Sequence, residues 1–380
     1  MTIVDLSDSA FKKIFSTKEF FLPIRWDGAD FLFTLDNLFE TYINRIECEA
    51  SKCKENHETN IITNVNIESI YMLCHEIKNA VRKYLAGFPS EAFEMIAYVM
   101  EKLMREKPLQ IYTKNVWQPF DSMYNNDPLN LFRVVCVEDN KPYGRERVFH
   151  TPNNLRSKVS TNRYSIAGYP CLYLGTNLRL CCEEIHMNPY QKFAIASKFK
   201  IDRKIADKKI KVIELAIKPQ DFLVEQQKTN SETPLNINWY KKRKIDDYLL
   251  NGEEIKKRYL LWYPLIAACS YIRVNKSDPF AAEYIIPQLI MQWTRSTNKI
   301  HNRNEILGIR YFSCASVKAS DMGFNYVFPV SEKINRSNTL FCPILSDAFK
   351  LTEPHYICEY DSIDECEEAL IYDNDLEKII

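Results

Sequence analysis

The sequence predicts an α+β protein: a helical N-terminal domain over residues 1–125, then a mixed β-sheet domain with flanking helices and an acidic tail over residues 126–380. Two changes of pattern carry that division. The first hundred residues repeat apolar side chains at helical spacing, whereas beyond residue 130 short runs alternate apolar and polar as strands do. Between them, Pro108 to Asp127 gathers turn formers and aromatics (Pro119, Asn125, Asn126, Asp127), and the domain boundary is expected there.

In chain order, Phe33 to Cys48 places Leu35, Leu38, Phe39, Tyr42, Ile43 and Ile46 on one helical face. Ile67 to Leu85 and Glu91 to Met104 continue the period, with Ser90 a candidate cap for the latter; polar Ser51 to Thr63 reads as a loop. Leu131 to Val137 is a strand interrupted by one charge, Arg133, and leads into a basic loop holding Arg145, Arg147, His150 and Arg156. Phe193 to Ile201 and Val212 to Ile217 are further strands. Lys241 to Lys244, a cationic cluster most simply read as a solvated face, precedes the helix formers of Asp246 to Ile272. Pro287 suits the first turn of a helix over Gln288 to Arg295, with Tyr284 to Ile286 an extended lead-in. Ile306 to Ser313 alternates so that Leu307, Ile309, Tyr311 and Ser313 share a face. The acidic stretch from Glu359 onward is a surface helix or a partner-facing segment.

The most informative stretch is RYSIAGYPCLYLGTNLRLCCEE, Arg163 to Glu184. Cys171 to Leu174 reads as a strand that stops at Gly175, and Thr176 and Asn177 supply an N-cap for a helix beginning near Leu178. On that helix Glu184 shares a face with Leu180, Cys181 and Met187, while Glu183 lies about 100° round and four residues after Arg179, at ion-pair spacing. So Glu184 is expected to look inward and Glu183 outward. A carboxylate on an apolar stripe is costly to bury unless a charge or hydrogen bond meets it, and such groups concentrate at functional sites. A ragged helix face with the acid reaching back to water is the bland alternative.

Composition narrows the classes. Fifty basic and fifty acidic residues give zero formal net charge, which argues against a general nucleic-acid or anionic-membrane binder. The longest apolar run, Tyr259 to Ile272, is interrupted by Pro264 and is too short to span a bilayer. Twelve cysteines occur without a CxxC pair, so neither a zinc site nor a disulfide framework is visible, and His57 and His75 lack metal-spaced partners. These features, with no basic-then-apolar N-terminal start, give the expectation of a soluble, cytoplasmic protein.

The quoted stretch resembles the core of the RES family, named for Arg, Glu and Ser, whose members include NAD-destroying toxins of toxin-antitoxin pairs. Arg163 precedes Tyr173 by ten residues and Tyr173 precedes Glu184 by eleven, as in that family. LFRVV supplies its early Arg as Arg133, GIRYFS supplies its Ser as Ser313, and the likeness spans about residues 129–354. The helical region before it resembles HEPN-type domains but lacks an Arg followed four to six residues later by His, and so reads as a scaffold, sensor or oligomerisation part.

What the resemblance implies is an ADP-ribosyltransferase-like fold that takes NAD as substrate, with no resident cofactor and no metal, and breaks the nicotinamide–ribose bond. Glu184 would stabilise the oxocarbenium-like ribose; Arg163 and Arg133 would grip the pyrophosphate; Tyr173 would meet the nicotinamide ribose; Ser313 would bond the amide or a phosphate. Water, phosphate or a macromolecule as acceptor would make a glycohydrolase, a phosphorylase or an ADP-ribosyltransferase, and the residues leave that open. An antitoxin protein and a second copy of the chain are the implied partners.

Overall fold

The computed structural model describes residues 3–57, 61–106, 110–112, 130–186, 188, 193–202, 204, 210–223, 252–275, 277–300, 306–330 and 340–379. In chain order its elements are β1 (Ile3–Ser7), α1 (Asp8–Phe15), α2 (Phe31–Glu55), β2 (Ile61–Asn66), α3 (Ile67–Leu85), α4 (Pro89–Glu106), β3 (Gln110–Tyr112), β4 (Leu131–Cys136) and α5 (Arg145–Val148). There follow β5 (Cys171–Gly175), α6 (Leu178–Glu184), β6 (Ala194–Ile201), β7 (Lys211–Leu215), α7 (Gly252–Ala268), α8 (Ile285–Ile300), β8 (Ile306–Phe312) and β9 (Phe324–Pro329). The last are α9 (Pro343–Ala348), β10 (Phe349–Leu351), β11 (His355–Tyr356) and α10 (Ile363–Tyr372). The class is α+β, with a helical N-terminal region ahead of a mixed sheet.

The chain forms two compact units, one of residues 1–109 with 217–293 and the other of 110–216 with 294–380. Residues 217–293, which the sequence reading placed in the second domain, thus group with the N-terminal helices. Their apolar content explains it: α7 buries Tyr259, Leu260, Trp262, Tyr263, Leu265 and Ile266, and this all-round apolar helix needs partners on every side. Tyr42 on α2 donates its hydroxyl to the carbonyl of Leu260 at 2.8 Å, and Tyr263 donates to Phe20, so these phenols are buried without orphaning their polar ends. The helices begin with side-chain caps where the sequence offers them: Ser7 accepts from the Ala10 amide and Asp30 from the Phe33 amide.

Four local expectations change. Residues 51–63 read as a loop, yet α2 runs on to Glu55 and β2 starts at Ile61. Ala50 and Cys53 continue the buried stripe there, but they are too small to stand out among Lys and Glu. Ser90 is the second residue of α4, which begins at Pro89, a residue suited to a first turn. β1, in a region read as helical, pairs antiparallel with β2. Tyr284 to Ile286 is not extended: a 3₁₀ turn over Ala282–Tyr284 runs into α8, where Pro287 is the third residue. The cationic cluster at Lys241 to Lys244 and the turn-rich segment over 113–129 lie outside the described residues.

The second unit is built on a nine-stranded sheet with strand order β10, β6, β4, β5, β9, β8, β7, β3, and β11 pairing with β6. Its pairings are antiparallel apart from β7 with β8. Alternation divides the side chains between two faces. Leu172, Leu174, Tyr326, Phe328 and Phe199 enter a large apolar cluster on one face. On the other, Phe132, Val134, Ala194 and Ala196 pack under Leu178, Cys181 and Cys182 of α6 and under Cys366 and Leu370 of α10. Burying a side chain such as Leu178 or Leu370 there contributes about 1.5–3 kcal/mol each.

Candidate active site

Gly175 pairs with Asn325 on β9, and Asn325 pairs with Tyr311 on β8, so these three lie in one row across the sheet on the α6 face. The neighbouring row on that face is Tyr173, Val327 and Ile309. α6 is set over this floor by local chemistry. Asn177 accepts from the Leu180 amide at 2.8 Å, as the sequence predicts for the cap. Gly175 has no side chain because Cys181 occupies the space: a Cβ there would stand 2.7 Å from its Sγ. With the helix seated this low, Glu184 reaches the sheet, and Asn325 donates from Nδ2 to Glu184 Oε1 at 2.5 Å. Glu184 is half-buried and Glu183 is exposed, which is the inward and outward pair the spacing predicts. The expected partner of Arg179 was Glu183; its guanidinium engages Asp364 of α10, with Nε 2.7 Å from Oδ1.

Arg163 reaches the same place from a tight turn. Asn162 and Ser165 exchange two backbone hydrogen bonds, at 2.8 and 3.1 Å, which leaves Arg163 and Tyr164 at the tip. Tyr164 packs on Tyr311 with ring centroids 4.7 Å apart, and Ser165 Oγ lies 3.0 Å from the Tyr173 hydroxyl. A second turn follows, closed by the Tyr169 amide on the Ile166 carbonyl, with Gly168 at φ +77°. That positive φ at the third turn position is the type II geometry for which glycine is favoured. It returns the chain through Pro170 into β5.

Tyr311 is the meeting point. Burial pushes its phenol well above the usual range, and the negative charge of Glu184 pushes it the same way, with Tyr173 and Tyr164 beside it and Arg163 opposing. It therefore stays protonated at neutral pH and can only offer or accept a hydrogen bond. Arg163, Tyr173 and Glu184, read as site residues from sequence, are thus gathered around one tyrosine that was not singled out. Arg163 is 9% exposed and Tyr164 1%, whereas Tyr173 and Glu184 are half-buried.

Ser313 and Arg133 stand differently. Ser313 lies one residue past β8, at the position the strand's alternation assigns to the Tyr311 face; it is 0% exposed, and its Oγ accepts from the Ala315 amide at 3.1 Å. Arg133 lies in a wedge of the sheet. β4 and β5 share a single bridging pair, Phe132 with Gly175, and beyond it Arg133 Nη1 donates to the Tyr173 carbonyl at 3.1 Å, taking the place of a strand-to-strand hydrogen bond. Burial pulls Arg133 down to about 10, so it is still a cation at neutral pH, and its buried Nε has no hydrogen-bond partner among the described residues.

The basic loop is largely spoken for. Arg145 is bound by the carboxylates of Glu353, Asp375 and Glu377, and Arg147 donates to the Cys136 carbonyl. His150 is buried and accepts from the Cys342 amide at Nε2 while Nδ1 faces the Thr151 carbonyl, so it is neutral; burial lowers it to about 4. Among the described residues no cluster of metal-binding side chains occurs, and no helix is long and apolar enough to cross a membrane.

Besides Tyr311, sequence reasoning missed Asn325, although for the asparagine a signal existed. It is an amide inside the strand FNYVFP, where Asn is disfavoured, and such a residue in an otherwise apolar strand asks for a polar partner.

No family model matches the chain, and no solved structure matches it. A protein of Bacillus subtilis (strain 168) described as "Putative toxin YopC" is 28% identical over 343 residues, covering 88% of this chain and 67% of its own length.

Proposed function

We propose that the chain is a toxin whose second unit cleaves the nicotinamide–ribose bond of NAD. The observation that carries this reading is the half-buried Glu184, hydrogen-bonded to Asn325 and standing with Tyr173, Tyr311 and Arg163 on one face of the sheet. The toxin part is supported by the likeness to the B. subtilis protein described as a toxin. In the reaction, nicotinamide leaves with the electron pair of its bond to C1′ and becomes neutral, so positive charge develops on the ribose. A fixed carboxylate in a partly dry setting stabilises that charge at little reorganisation cost. Tyr173 is placed to hold a ribose hydroxyl, Arg163 to face the diphosphate, and a water or phosphate oxygen then adds to C1′ with loss of a proton.

The test is incubation of the purified protein with NAD, with and without inorganic phosphate. Nicotinamide with ADP-ribose identifies hydrolysis, nicotinamide with ADP-ribose 1″-phosphate identifies phosphorolysis, and label on a macromolecule identifies transfer. Glu184→Gln should lose at least about 100-fold in rate, the size expected for removal of a main transition-state group. It should also relieve growth arrest on expression. Full activity in that variant would remove Glu184 from the mechanism.

A further inference from the structure

We propose that Asn325 is a positioning residue that holds the Glu184 carboxylate in its working orientation. This rests on the reading that Glu184 is the group that meets the substrate. Three observations carry it. Asn325 is 4% exposed, so its amide is committed to the interior, and the Nδ2 bond to Glu184 Oε1 is its side-chain donation on this face. It stands in the centre of the Gly175, Asn325, Tyr311 row, with a strand on each side, so the donor cannot swing away. Gly175 leaves the room that lets α6 come down to it, since any Cβ would meet Cys181 at 2.7 Å and Asn325 Oδ1 at 3.5 Å.

An amide donor differs from the other polar groups nearby. It can give a hydrogen bond to a carboxylate oxygen at any pH without changing charge, and so favours the ionised acid without titrating. It engages Oε1 of Glu184. The titratable or charged groups around Glu184 are Tyr311 on β8, Tyr173 on β5, Cys181 on its own helix and Arg163 on the preceding turn. From the other elements packed on α6 come Arg133 on β4 and Asp364, Cys366 and Glu367 on α10. Burial holds the Cys181 thiol and the Tyr311 phenol well above their usual ranges, so neither changes charge over the acidic range in which a carboxylate does.

The variants Asn325→Asp, Asn325→Ser and Asn325→Ala separate positioning from mere packing. Asp is isosteric but sets a second carboxylate against Glu184, and two such groups cannot both ionise cheaply. The acid limb of the pH profile for nicotinamide release should move up by about one unit or more in Asn325→Asp. Asn325→Ala should lower kcat by at least 10-fold with KM changed less than 3-fold, and Asn325→Ser, which keeps a short donor, should fall between it and the parent. The second measurement does not need turnover: with ¹³C-labelled glutamate, the carboxyl resonance missing in Glu184→Gln is followed against pH in each variant that folds. Its midpoint should rise in both Asn325→Asp and Asn325→Ala. An unmoved midpoint and an unmoved acid limb overturn the assignment of Asn325. If the parent protein releases no nicotinamide, the NAD reading fails by itself, and the resonance still decides whether Asn325 holds the acid.

Discussion

Gly175→Ala is the substitution that tests how the candidate site is assembled. Its Cβ would sit 2.7 Å from Cys181 Sγ, 3.5 Å from Asn325 Oδ1 and 3.6 Å from the Asn177 carbonyl, which is a collision on one side and contact on two others. Cys181 cannot simply turn aside, because it is buried and its Sγ donates to the Phe132 carbonyl at 3.3 Å. An ordinary contact at that point is roughly 1 Å longer, so either the thiol gives up its bond or α6 lifts from the sheet. Overpacking of this kind costs about 1–3 kcal/mol. A lift of that size at Glu184, three residues further along the helix, is of the order that costs about 100-fold in rate. The assay pairs urea denaturation with nicotinamide release from NAD. Cys181→Ala removes the colliding sulfur, so the double variant should recover most of both losses, with a coupling energy of about 1–2 kcal/mol between the two positions. If Gly175→Ala alone stays within 0.5 kcal/mol and twofold of the parent, or if the double variant is no better than the worse single, glycine is not what seats the helix.

Two further predictions concern stability and pH. His150 is buried and lowered to about 4 from its ordinary 6.5, so the unfolded chain takes up its proton first as pH falls; stability is lost from about 6.5 downward and the loss is complete below about 4. The difference of 2.5 units corresponds to about 3 kcal/mol, and the advantage of the parent over His150→Gln in denaturant should shrink by about that much between pH 7 and pH 4; parallel losses in the two proteins would refute it. Glu367 accepts from the Leu178 amide at 2.7 Å, yet its carboxyl is raised, chiefly by burial. A raised carboxyl favours the fold at low pH and less so as pH rises through its folded value, so at neutral pH the charge itself is carried at a cost. Glu367→Gln, which keeps an accepting oxygen, should be at least as stable as the parent at pH 7, and Glu367→Ala should lose about 1–2 kcal/mol by baring the Leu178 amide; the opposite order in thermal or urea melts would show that the charge, not the acceptor, matters.

The local structure that carries Glu184 was legible because its signals are local. A strand ending at Gly175, a cap at Asn177 and a helix from Leu178 are consecutive, and the inward turn of Glu184 follows from 3.6-residue periodicity alone. α3 was equally plain over Ile67–Leu85, since its buried residues fall on one stripe. What escaped were partnerships made across the sheet. Asn325 lies 141 residues from Glu184, and strand register, not spacing along the chain, brings them together. For the same reason Arg179 was matched with Glu183 on its own helix, while its partner is Asp364, 185 residues on. Arg133 was visible as a charge in a strand, but its place in the wedge between β4 and β5 depends on how far those strands stay paired, which no side chain announces.

The helix that carries Glu184 has seven residues, too few to hold a helical shape from its own hydrogen bonds. Its position must come from outside, and the described contacts account for it. At its start Asn177 and Glu367 accept from the Leu180 and Leu178 amides, two of the donors that every helix leaves open. On its outer side Arg179 meets Asp364 with both carboxylate oxygens engaged. Underneath, Cys181 rests in the space above Gly175, and at the far end Glu184 is tied to Asn325. Two of these ties, Glu367 and Asp364, belong to α10 in the acidic segment that the sequence left as a surface helix or a partner-facing tail. Lys198 caps the other end of α10 by donating to the Ile371 and Asp373 carbonyls from within the sheet. An acidic helix fixed at both ends and bonded to the open amides of α6 is a brace for the candidate acid, and its negative charge is what the positive N-terminus of a short helix attracts.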